Sequence, residues 1–283
     1  MSTAAPAAAP SEAATGWRAS LALECEYRRD RTVLSQRRQR GPLAVQRPFY
    51  PEGSPCHLYL LHPPGGVVGG DALAIEIKLA ADAHAVVTTP GATKFYRSAC
   101  APAIQMQTLD IADGACLEWM PQENILFPGA NVRFTTEVRL RDGARFLGWE
   151  VHCLGRPIIG EAFRTGRARF RFALYRDGRP LFCDRLEVAG ARDLQRPAGL
   201  RGQPVFGTLV VTGTDQDAVQ HARDAVAGIP EDEVAVTRLD DVLVVRYLGD
   251  STEAARQSFV AVWRALRPQL AGRAACAPRI WAT

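Results

Sequence analysis

Asn131-Val132-Arg133-Phe134-Thr135-Thr136-Glu137-Val138-Arg139-Leu140 alternates along its whole length. Val132, Phe134, Thr136, Val138 and Leu140 share one face; Arg133, Thr135, Glu137 and Arg139 share the other. Successive side chains of a strand point to opposite sides, so this pattern reads as a strand with one buried face. The same period recurs in Ala72–Leu79. It recurs again in Arg167–Arg176, where Phe170, Phe172 and Leu174 stand against Arg169, Arg171 and Ala173. Asp113-Gly114, Asp142-Gly143 and Asp177-Gly178 each lie between two strand-like runs, and Asp-Gly is a strong hairpin signal. The spacing predicts a mainly β, extended antiparallel architecture.

Helical patterning comes late. Thr214 or Asp215 can cap a short helix running to Val226, where Gly228 and Pro230 stop it. A stronger helix begins at Asp250/Ser251 and carries Ala255, Phe259, Val262, Trp263 and Leu266 at helical spacing. Pro268 is expected to end or kink it. Glu233–Thr237 and Val242–Leu248 read as strands between the two helices. No linker separates two domains and no internal repeat stands out. Residues 1–16 read as a disordered Ala/Pro-rich tail, and residues 17–283 as one β-rich body with a small α/β end.

Composition excludes several classes. The 283 residues are 47% hydrophobic, enough for a full core without staples. No apolar run approaches the roughly 20 residues that span a bilayer. The net charge of +4 is accounted for by residues 1–50, with eight Arg and four acids, so the rest of the chain shows no broad basic face for nucleic acid. The seven cysteines are odd in number and lack C-x-x-C spacing, which argues against a secreted disulfide framework and for the cytoplasm. Only Lys78 and Lys94 are lysines, a bias read as genomic composition.

Four segments carry candidate chemistry. His62-Pro63-Pro64-Gly65-Gly66-Val67-Val68-Gly69-Gly70-Asp71 is glycine-rich, but a strand follows it, so it is no phosphate loop. Its Asp71 either bonds its own turn or projects a carboxylate at a surface or passage. Thr88–Ser98 is a polar turn that offers Thr93, Lys94, Phe95, Tyr96 and Arg97, including residue types favoured in interfaces. Leu117–Gly129 contains Glu118 and Glu123; a buried Glu118 would have to be paired. In Phe146–Pro157, Glu150 and His152 share one face of a strand while Cys153 points away, so the three do not make one metal site. No G-x-S-x-G, H-E-x-x-H or Rossmann fingerprint occurs.

Gln46-Arg47-Pro48-Phe49-Tyr50-Pro51, Cys56–Asp71 and Pro90–Ser98 resemble the urease accessory protein D family (UreD, also called UreH). Leu117–Asn124, Phe146–Pro157, Gly199–Gly202 and the closing Pro278-Arg279-Ile280-Trp281-Ala282-Thr283 follow in the same order. The resemblance covers residues 17–283.

That resemblance implies a non-enzyme: a β-rich, elongated β-helical stack of strands, with a small C-terminal α/β portion holding the two helices. It implies UreF, the GTPase UreG and apo-urease as partners. It also implies an internal route for nickel on its way to the urease active site, with no intrinsic cofactor. On this reading Asp71, Glu150 and Asp184 are candidates for metal transit, although Asp184 can equally pair with an arginine such as Arg185. Thr93, Lys94, Phe95, Tyr96, Arg97, Arg279, Ile280 and Trp281 are candidates for partner binding. Two other readings compete: a stand-alone hydrolase using Glu118/Glu123 or Asp71, and a nickel-storage protein. Dispersed donors without ligand spacing argue against storage.

Overall fold

Alternation along a strand fixes which face is buried but not where the chain goes next. In this protein it winds. The computed structural model describes residues 16–98, 101–230 and 233–282; most of the expected N-terminal tail lies outside the described residues. A hairpin of β1 (Arg18–Arg28) and β2 (Arg31–Arg40), then β3 (Ala44–Val45), leads into stacked coils. The first coil is β4 (Cys56–Leu61) and β5 (Ala72–Leu79). The second is β6 (His84–Thr88), β7 (Thr93–Phe95) and β8 (Ala103–Ile111). The third is β9 (Cys116–Met120), β10 (Asn124–Leu126) and β11 (Asn131–Leu140). The fourth is β12 (Arg145–Arg156), β13 (Glu161–Ala162) and β14 (Arg167–Arg176).

Strands of successive coils pair in parallel: β5, β8, β11 and β14 on one sheet, and β4, β6, β9 and β12 on the other. The short β10 pairs in parallel with the end of β12 and with β7 on its other side, making a third strip. The antiparallel expectation therefore holds only at the ends, and the Asp-Gly turns show why. Asp113-Gly114 and Asp142-Gly143 carry the chain from one sheet to the other instead of back along the same sheet. Only Asp177-Gly178 closes a hairpin, between β14 and β15 (Arg179–Val188), with positive φ at both residues. The two corner turns also stack. A side chain at Gly143 would meet the Asp113 carboxylate at 2.2 Å, and one at Gly114 would meet that of Asp82 at 2.4 Å. Corners at 82, 113–114 and 142–143 thus form a structural repeat of roughly 30 residues. It escapes sequence comparison because each coil preserves only an inward apolar face and a corner, not residue identity.

The chain then makes a short helix that sequence patterning missed, α1 (Gly190–Leu194), and continues with β16 (Val205–Thr212), α2 (Gln216–Ala225), β17 (Val234–Leu239), β18 (Val242–Gly249) and α3 (Thr252–Ala271). The three strands extend the second sheet antiparallel from β12. The Asp215 carboxylate caps α2 by accepting from Ala218 N at 2.9 Å, and Ser251 caps α3 by accepting from Ala254 N. α3 runs through Pro268 to Ala271, because a proline in the last turn costs little helix beyond it. Its predicted face, Ala255, Phe259, Val262, Trp263 and Leu266, is fully buried against Trp149, Val151, Leu209, Val245 and Tyr247 of the second sheet. The main core lies between the sheets, and this second core lies outside them under the helices. Among the described residues, no helix is long and apolar enough to cross a membrane.

Candidate functional site

Polar residues interrupt the inward faces of the coils at one level. On β8, Gln105 and Gln107 share the inward side with Ala103, Leu109 and Ile111. On β11, Thr136 takes a place among Phe134 and Val138, in register with Gln107. On β12, Glu150 and His152 stand inward between Phe146 and Leu154, while Trp149, Val151 and Cys153 turn to the second core. Asn124 joins them from β10, in register with His152.

These groups engage one another. The Thr136 hydroxyl lies against Glu150 Oε1 and 2.8 Å from Gln107 Oε1, and with one proton it serves one of these acceptors at a time. Glu150 Oε2 is 3.6 Å from His152 Nε2, inside ion-pair range but too long for a hydrogen bond. His152 Nδ1 is 3.5 Å from Asn124 Nδ2, and the ring packs among Phe134, Phe170 and Phe206.

Two cavities border this cluster. One, of about 250 Å³, is lined by His62, Gln105, Gln107, Trp119, Asn124 and Glu150. The other, of about 270 Å³, is lined by Glu150, His152, Phe170, Asp184, Arg246 and Tyr247. Glu150 lines both. The buried Trp119 Nε1 has no hydrogen-bond partner among the described residues, although a buried indole N–H ordinarily finds one. Trp119 lines the first cavity, and a water takes about 30 Å³, so that cavity has room for several to serve it. Half-buried His62 stands at the far side of the first cavity. Burial pushes its imidazole below its ordinary pKa, with the nearby Asp71 charge pulling the other way.

The expected transit residues part company. Glu150 lines both cavities. Asp184 lies at the second cavity, its Oδ2 2.7 Å from Arg246 Nη1 on β18; the pairing arginine is this distant one and not Arg185. Asp71 lines neither cavity. It is buried and accepts from Trp17 N at 2.8 Å and Val68 N at 3.0 Å, fastening the glycine loop to the start of β1. Asp71→Ala is therefore expected to cost about 1–3 kcal/mol in urea denaturation by stranding these donors. Unchanged stability would return Asp71 to the transit candidates.

One expectation about partner residues is corrected. Phe95 is fully buried, edge-on to Phe134 at 4.8 Å, because β7 turns it into the core. Trp281 is half-buried: it lies about 6 Å from both Trp149 and Trp263 and donates from Nε1 to Thr88 Oγ1 at 2.9 Å, and it lines an outer groove with Ile280. Lys94, Tyr96, Arg97 and Arg279 are exposed, and Thr93 and Ile280 are half-buried.

The hydrolase reading fails on Glu118. Its carboxylate is wholly buried and accepts from His84 Nε2 at 2.6 Å, Arg267 Nε at 2.9 Å and Trp263 Nε1, as burial demanded. Burial opposes its charge, but His84 and Arg267 outweigh it and hold the carboxyl below its ordinary range. A carboxylate so engaged has no face left for a substrate. Glu123 is separately placed, half-buried beside Arg256 and Ile280 at an outer groove. Among the described residues, no three His, Cys, Asp or Glu side chains are grouped to hold a metal ion.

Gln105, Gln107, Asn124 and His62 were not among the sequence-derived candidates. The available signal was polarity at inward-facing strand positions, which Thr136 also displays.

The chain was compared with known proteins. The family described as UreD urease accessory protein matches residues 17–282. The urease accessory protein UreD of Alcanivorax borkumensis is 45% identical over 273 residues, covering 95% of this chain and 93% of that protein. The UreD of Escherichia coli is 43% identical over 274 residues, covering 95% and 98%. The UreD of Azoarcus sp. is 46% identical over 272 residues, covering 95% of each.

Proposed function

Because the chain belongs to the UreD family of urease accessory proteins, we propose that it is a cytoplasmic scaffold in urease maturation. It joins UreF and the GTPase UreG to apo-urease, and it passes nickel through its interior toward the urease active site. The observation that supports the passage is the sharing of Glu150 by the two cavities. Their polar lining is amide, hydroxyl, imidazole and carboxylate. Such oxygen and nitrogen groups, singly placed, bind a divalent cation weakly enough to release it, whereas a thiolate cage would retain it. Nickel is cargo here, and the protein supplies no reaction of its own. The buried cysteines near the site point to the second core, as Cys153 does, and stay out of its path.

The scaffold half of the reading is tested by co-purification. Tagged protein is expected to retain UreF, and UreG through it, and to dock on apo-urease, while turning over no ester, amide or glycoside substrate alone. Retention of neither UreF nor apo-urease would end the reading.

A further inference from the structure

The fourth coil carries an apolar tip that the cavity reading does not use. After β12, Pro157–Ile159 forms one turn of 3-10 helix closed by Gly160 at φ 73°. Ile158 is 96% exposed and Ile159 63% exposed. Isolated exposed apolar residues need no explanation, but two adjacent isoleucines held rigidly outward, with aromatic neighbours, do.

The tip is held by more than its own turn. Arg156 at its base pairs with Glu161, and its guanidinium lies 4.6 Å over the Phe127 ring. Phe127 packs with its ring tilted 51° and 4.8 Å from Tyr96, which is itself exposed and donates from its hydroxyl to Gly65 O at 3.3 Å. A continuous strip thus runs across three successive coils, from Tyr96 through Phe127 and Arg156 to Ile158. Exposed Lys94 and Arg97 flank its Tyr96 end, and neither has a carboxylate partner among the described residues.

We propose that this strip is a docking surface for a protein partner presenting an apolar pocket with an acidic rim. The isoleucines would fill the pocket, and Lys94 and Arg97 would meet the rim. Tyr and Arg beside a buried apolar anchor are the composition of an interface hot spot. A lipid surface fits less well, since each basic residue near an anionic membrane is worth only about 1 kcal/mol, and two of them with two isoleucines fall short of stable attachment. The surface rests on the proposed scaffold role and assigns it a place on the molecule.

The test measures equilibrium binding of full-length wild type, Ile158→Asp/Ile159→Ser and Lys94→Glu/Arg97→Glu to purified UreF and to apo-urease. All the substituted side chains are exposed or on the surface, and thermal melts are run in parallel to check folding. The apolar pair is expected to weaken one of the two partners at least about tenfold, the scale of a hot spot. The charge pair is expected to weaken the same partner and to flatten its salt dependence. Binding of both partners within about twofold of wild type by both variants would overturn the proposal. It would also be overturned if Ile158→Asp/Ile159→Ser abolished binding to phosphatidylserine vesicles while leaving protein binding intact. If wild type binds neither protein, the scaffold reading itself falls and takes this surface with it, a result distinguishable from failure of the variants alone.

Discussion

Arg267→Ala and Glu118→Ala are each expected to remove about 3–5 kcal/mol of folding stability, the effect of stripping one partner from a buried ion pair. Arg267 and Glu118 are both wholly buried. Arg267 also reaches Glu52 through Nη2 at 2.6 Å and Nη1 at 2.8 Å, and Glu52 accepts from His57 at 2.7 Å. This one guanidinium ties α3 to β9 and to the loop before β4. Its removal leaves two carboxylates facing each other's field with only histidines to answer them. Domains are stable by about 5–15 kcal/mol in all, so either variant would lose a large share of that. Urea denaturation at neutral pH measures it. A loss under about 1 kcal/mol would mean that water reaches the network and screens it.

The same network sets an acid limit. Burial works against the Glu52 charge, but the His57 hydrogen bond and Arg267 outweigh it and hold the carboxyl down to about 2, from an ordinary 4.5. A carboxyl whose folded pKa is depressed contributes stability that is complete above its unfolded pKa and is lost as pH falls through the folded one. Stability should therefore decline between pH 4.5 and about 2, and Glu52→Gln should flatten that decline while starting from a lower plateau.

Burial was legible in the chain, but strand direction was not. The five residues picked for the inward face of 131–140 are those that face inward. Alternation is a property of one strand, however, whereas parallel winding is a property of how a strand is joined to the next one in its own sheet. Asp113-Gly114 and Asp177-Gly178 are the same dipeptide with the same positive-φ glycine, yet one turns a coil corner and the other a hairpin. At the hairpin Asp177 itself takes positive φ, whereas the corner at 113–114 stacks on Asp82, a residue 31 positions earlier that no local pattern links to it. The site divides in the same way. Glu150 and His152 were placed on one face by period alone, and that is where they lie. Asp184 needed Arg246, more than sixty residues away, and Asp71 needed Trp17, to reveal what each carboxylate does. Phe95 looked like an interface residue because its neighbours Lys94 and Tyr96 are exposed, but a strand that exposes two residues buries the one between them.

Glu150→Gln is expected to cut nickel delivered to urease roughly tenfold at limiting nickel, while leaving folding and docking near wild type. A unit charge about 4 Å from another gains about 4 kcal/mol at the effective dielectric of a protein, and a divalent ion gains more. Most of this is cancelled by stripping water from the ion, and a remainder of about 1.4 kcal/mol is already a tenfold effect. Gln keeps the size of Glu and can still accept from Thr136, so what is removed is the charge that both cavities share. Asp184 supplies the contrast. Asp184→Asn leaves Arg246 unpaired beside the second cavity, adding a repulsive cation to a lost anion, so it should impair delivery more than neutralisation alone. Asp184→Asn with Arg246→Gln should recover part of that loss. The nickel content of urease matured with each variant, measured beside its docking on apo-urease, decides the matter. Full loading by Glu150→Gln with normal docking would mean that nickel does not pass this carboxylate, and the interior route would have to be abandoned.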